Sequence, residues 1–149
     1  MSTKQTELLN HLIDICEDGK NFYEAAIERS DDAEMDRTFK NMANIRREII
    51  TDLERCVRET GGEVERDGTA KGKISQLYGE LKSMLSTKTD TTLVSRLEEA
   101  EDRSLEEFKD ASTDSNLSAD VQNVVNLSTQ KLQQTHDHMK ALKDGLKAA

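Results

Sequence analysis

From Met35 to Thr60 the apolar side chains fall at Met35, Phe39, Met42, Ile49, Leu53 and Cys56, in alternating steps of four and three. That step is the seam of an α-helix packed lengthwise against other helices. One position breaks it: between Met42 and Ile49 the seam residue is Arg46. A guanidinium in the middle of a buried seam needs a partner or a route to water, because an unpaired buried charge costs on the order of several kcal/mol. What stands opposite Arg46 therefore decides whether the interior is chemically active or inert.

The same step organises the rest of the chain. Leu8, Leu12, Ile15, Gly19, Phe22 and Ala26 predict a first helix over about 4–29, with Leu9, Cys16 and Tyr23 beside its seam. Gly19 inside a good helix costs about 1 kcal/mol relative to Ala, so a close helix approach or a bulky side chain opposite it is expected. Ser30, Asp31 and Asp32 make a short turn, and Ser30 or Asp31 is placed to cap a second helix over about 32–60. A turn this short makes the two helices antiparallel neighbours. Gly61-Gly62 ends the second helix.

The stretch 61–90 is too long for an ordinary loop and reads as a crossover. Ile74, Leu77, Tyr78, Leu81, Met84 and Leu85 give it a short amphipathic helix of its own, over about 73–86. After Asp90, a good cap, Val94, Leu97, Glu101, Ser104, Phe108 and Ala111 make the seam of a helix over about 91–112, again with a charge in the centre. Ser118 is placed to cap the last helix, about 118–146, whose seam runs Val121, Val125, Ser128, Leu132, Thr135, Met139, Leu142 and Leu146. The expected architecture is a single all-α domain: a four-helix bundle of antiparallel pairs with a long central crossover.

Composition narrows the function. Hydrophobic and charged residues each make up 34% of the chain, and there is no proline, which suits thin amphipathic helices. The net charge of −9, with no basic stripe, argues against nucleic-acid binding. No apolar run approaches the roughly 20 residues that span a bilayer. The first residues lack the apolar stretch of a secretion signal, so the expected compartment is the cytoplasm. If the first two helices fold back near Ser30, Cys16 and Cys56 lie roughly 16 Å apart along the axis, at about 1.5 Å per residue. That is too far for a disulfide, and both read as small buried hydrophobes.

A four-helix bundle with a long central crossover resembles the ferritin-like superfamily. The segments LIDICEDGKNFYEAA, FKNMANIRREI, LEEAEDRSLEEF and LQQTHDHMKAL are similar to a family of uncharacterised bacterial four-helix-bundle proteins that carry a domain of unknown function. The resemblance covers about Leu8 to Leu142 and implies a fold; it implies no established activity. Ferritin-like di-iron enzymes draw one Glu from each of two helices and a Glu-x-x-His pair from each of the other two. Where the family phrase runs Phe-x-x-x-Ala-x-x-Glu-x-x-His, this chain has Phe39, Ala43, Arg46 and Ile49. The step before His136 is Gln133, and before His138 it is Thr135, so no Glu-x-x-His occurs.

Arg46 thus stands where a cation would otherwise bind, and an interhelical Arg46–Glu101 pair is expected near mid-bundle. The alternative is an Arg46 that snorkels to solvent. His136 and His138 point about 200° apart and cannot share one metal. Tyr23 reads as core with its hydroxyl on water or a carboxylate. The acidic residues from Glu98 to Asp110 read as a solvated helix face. The favoured function is a non-enzymatic structural, stress-related or interaction protein without cofactor, as a homo-oligomer or with a protein partner. The alternative is a store or oxidoreductase for iron or another divalent metal, on an atypical site of Glu17, Asp18, Glu98, Glu101 and His136. In the crossover helix, Tyr78 and its aliphatic neighbours either dock on the bundle or form a partner surface, and docking is the expectation.

Overall fold

A computed structural model describes residues 3–29, 32–65, 73–85 and 90–148, and is all-α, with no strand among them. Five helices follow in order: α1 (Thr3–Arg29), α2 (Ala33–Glu59), α3 (Lys73–Met84), α4 (Asp90–Ser112) and α5 (Ala119–Ala148).

Local chemistry sets the ends. The cap of α2 is Asp32, whose side chain accepts from Glu34 N at 3.0 Å and Met35 N at 3.2 Å. This corrects the expectation of Ser30 or Asp31, which lie outside the described residues. Asp32 sits immediately before the first helical residue, where its carboxylate spans both free amides. At the other end Gly61 takes φ 80°, Gly62 N donates to Val57 O at 2.9 Å and Gly61 N to Arg58 O at 3.1 Å. This paired closure needs the left-handed conformation that glycine adopts without strain. Ser118 Oγ accepts from Val121 N at 3.4 Å at the start of α5. The proposed cap of α4, the side chain of Asp90, lies outside the described residues.

Contacts along their lengths set the directions of the helices. Thr6 lies beside Gly62, Asn10 Nδ2 donates to Glu63 O at 3.0 Å, and Arg47 pairs with Glu24 at 2.6 Å, so α1 and α2 are antiparallel. Gln122 Nε2 donates to Ser112 O at 2.7 Å and Lys143 pairs with Glu98 at 3.4 Å, so α4 and α5 are antiparallel too. His11 lies by Glu107 and Tyr23 by Glu101, which runs α4 against α1 and parallel to α2. The chain between α2 and α4 therefore travels the length of the molecule, and α3 packs against α1 and α4 on the way.

The buried face of α1 is wider than a simple seam. Leu9 and Ile13 are fully buried, whereas Leu8 is only partly so. The reason is that α1 touches α2, α3 and α4, and a helix with three neighbours buries more than one stripe. Phe22, Tyr23, Phe39 and Tyr78 meet beside its C-terminal third, with ring centroids 5.6 to 6.4 Å apart. In α3, Ile74, Leu77, Tyr78 and Leu81 are all buried, so its apolar side is docked. Cys16 and Cys56 are both buried and free. Among the described residues no helix is long and apolar enough to cross a membrane.

Candidate functional site

The seam interruptions of α2 and α4 fall at one level. Arg46 and Glu101 have no exposed surface, and Arg46 Nη2 donates to Glu101 Oε1 at 2.7 Å. The guanidinium does not snorkel. Three further helices complete the cluster. Tyr23 of α1 donates its hydroxyl to Glu101 Oε1, and Arg46 Nη2 also donates to the Tyr78 hydroxyl of α3 at 2.9 Å. Thr135 of α5 lies 3.1 Å from Glu101 Oε2 and 2.8 Å from Leu132 O, its single proton shared between the two. Every helix contributes one side chain to this centre.

Gly19 makes the room. A Cβ there would stand 2.9 Å from Arg46 Cζ, 3.0 Å from Nη1 and 3.1 Å from the Tyr78 hydroxyl. Of the two causes open for this glycine, a bulky side chain rather than a close helix backbone is the one found. The Arg46 cation also lies 5.9 Å from the Tyr78 ring centroid.

The electrostatics hold the cluster in one charge state. Burial works against a charged guanidinium, but Glu101, with lesser help from Tyr78, Cys16 and Tyr23, outweighs it and keeps Arg46 protonated well above its usual range. Burial, then the charge of Glu101, drive the Tyr23 hydroxyl well up, and burial raises Tyr78 against the pull of Arg46. Burial pushes the Cys16 thiol up to about 11 despite the adjoining guanidinium. Neutral phenols and a neutral thiol supply neither a base nor a nucleophile near pH 7. Arg46 Nε and Nη1 have no hydrogen-bond partner among the described residues. The ion pair is therefore held through one nitrogen rather than through the fork.

The five candidate metal ligands do not converge. Glu17 pairs with Lys20 on its own helix, while Asp18 faces Ser75 and Lys82 of α3. Glu98 and His136 lie together on the α4–α5 flank, where His136 Nε2 is 4.0 Å from Glu98, 3.3 Å from Asp102, and Nδ1 is 3.2 Å from Asp137. Glu101 alone points to the centre. Among the described residues no three His, Cys, Asp or Glu side chains are grouped to hold a metal ion. His138 is exposed, and His11 rests at 3.6 Å from Glu107 on the surface.

Two members of the cluster escaped the reading of the pattern. Tyr78 was legible as an apolar position in a short helix, but not as a partner of Arg46. Thr135 was legible as a seam residue only; its polar character in an apolar stripe is the signal that could have found it. Gln5 and Asn10, also buried, act elsewhere: Gln5 Oε1 accepts from Ser118 N at 2.6 Å, and Asn10 Oδ1 accepts from Glu65 N at 3.1 Å.

A family model described as "Domain of unknown function (DUF2383)" matches residues 4–114, which takes in α1 to α4 and stops short of α5. No curated protein matches the chain.

Proposed function

This chain belongs to the family described as a domain of unknown function, DUF2383, and we propose that it is a non-catalytic ferritin-like four-helix bundle. It acts through its structure or its partners, and its centre is closed by an ion pair in place of a di-iron group. The observation that carries this reading is the buried Arg46–Glu101 contact at 2.7 Å.

The residues present do not fit two iron ions. Of the five candidate ligands only Glu101 points inward, and its Oε1 already accepts from Tyr23 and Arg46. A fixed cation 2.7 Å away opposes a second positive charge at that point. The phenols and the thiol around it are neutral at pH 7, so each would have to give up a proton to serve a metal as an anionic donor. Two unpaired buried thiols accord with a reducing, cytoplasmic setting.

Anaerobic titration with ferrous iron, followed by elemental analysis of the desalted protein, tests the proposal. No stoichiometric binding is expected. Tight stoichiometric uptake that disappears on Glu101→Ala overturns it and restores the metal-store or oxidoreductase reading around Glu101.

A further inference from the structure

The ten residues from Val121 to Gln130 form the longest run in the chain without Asp, Glu, Lys or Arg, and no other such run exceeds six. They make the first third of α5. Val121, Val125 and Ser128 turn inward and are buried, while Asn123, Asn126, Leu127 and Gln130 face solvent. Leu127 is 58% exposed and is the one exposed large hydrophobic among the described residues. Val124, one turn before it, is partly buried. A lone surface leucine is ordinary in itself. This one stands within the longest uncharged run of a molecule with net charge −9.

We infer that this face of α5 is where two copies of the chain meet, Leu127 against Leu127 about a twofold axis. Like charge repels two copies of an acidic molecule over most of their surface, and a neutral face is where that repulsion is least. A strongly charged partner would find no counter-charge here. Asn and Gln side chains both donate and accept, so a face made of them can pair with an identical face.

The register agrees with that occupant. When α5 crosses its copy antiparallel at Leu127, each residue before Leu127 meets the one equally far after it. Asp120 then faces Gln134, Asn123 faces Lys131, and Val124 faces Gln130. No two like charges confront each other. Lys131 is also held within its own chain, 3.5 Å from Glu48 and 3.6 Å from Asp52 of α2. One helical stripe is less than the roughly 800 Å² per partner of a stable complex, so the dimer is a weak one, forming at about 0.1 mM.

Sedimentation equilibrium of the full chain, from about 0.01 to about 1 mM protein at low and high sodium chloride, reads this directly. The wild type dimerises with rising concentration, and more strongly in high salt, because screening removes the net repulsion. Leu127→Lys stays monomeric, and its unchanged thermal melt by circular dichroism shows that it folds. A strict monomer over the whole range overturns the inference. So does a dimer that survives Leu127→Lys, or one that weakens with salt as an ion-paired interface would.

Discussion

Arg46 is the largest fully buried side chain among the described residues, and it is only half satisfied. Its charge is balanced by Glu101, yet Nε and Nη1 have no partner among the described residues, so the pair is a weak source of stability. Arg46→Glu brings two carboxylates together without solvent and is expected to cost about 4 kcal/mol in urea unfolding. Arg46→Met, which strands Glu101, costs about 3 kcal/mol, and the double variant Arg46→Met with Glu101→Leu costs less than that single change. Equal midpoints for wild type and Arg46→Glu would refute the buried pair. Gly19 gives a test in which two effects oppose each other. Helix propensity alone makes Gly19→Ala stabilising by about 1 kcal/mol. The 2.9 Å approach to Arg46 Cζ forces the guanidinium to move, and the expected outcome is a net loss of about 1–2 kcal/mol. The loss should shrink in an Arg46→Met background, where the shorter, flexible thioether can yield. Both charged members of the cluster were legible as interruptions of an apolar seam. Of their uncharged partners only Tyr23 was, with its hydroxyl expected on water or a carboxylate; Tyr78 and Thr135 were not, because a Tyr or Thr on an apolar stripe is equally at home without a polar task.

The smallest of the helices, α3, closes one side of the cluster. It has 12 residues and reaches the centre through the Tyr78 hydroxyl. It is tied to α1 by the hydrogen bond between Ser75 and Asp18, whose Oδ2 is buried without a partner among the described residues. Burial, then the charge of Asp14, push the Asp18 carboxyl up to about 6, against the pull of Ser75 and Lys82. The folded protein thus keeps this proton between about pH 4 and pH 6, where the unfolded chain has lost it. The unfolded state then binds fewer protons, so this group's contribution to stability falls as pH rises through that window. Asp18→Asn should therefore raise stability at pH 7.5 by about 1 kcal/mol, an amount tempered by partial exposure to solvent. The gain should vanish near pH 4, and thermal melts across that range check it. Helix existence and type were readable here from spacing alone, and the polar interface was not. Asp18 lies beside the seam of α1, where nothing local says which neighbour covers it.

At the scale of the whole molecule, the surface ion pairs are of small individual weight, whether within one helix, such as Arg55 with Asp52 and Arg103 with Glu99, or between helices, such as Arg47 with Glu24. The net charge of −9 remains, and the longest stretch of chain without a charged residue is 121–130 of α5. That imbalance is why the association inferred above strengthens with salt, and why the iron titration is run on a molecule whose acid groups are largely outward. The sequence by itself determined the all-α class, the positions of the turns, the seams and the two charges that break them. Those features follow from periodicity, from glycine and capping chemistry, and from the cost of burying charge, all of them local properties of the chain. Only the tertiary structure decided that five helices each send a side chain to one point, that Gly19 is a notch for Arg46, and that the candidate ligands face different neighbours. Those outcomes depend on the rotation and axial level of each helix against the others, and helical spacing leaves both undetermined.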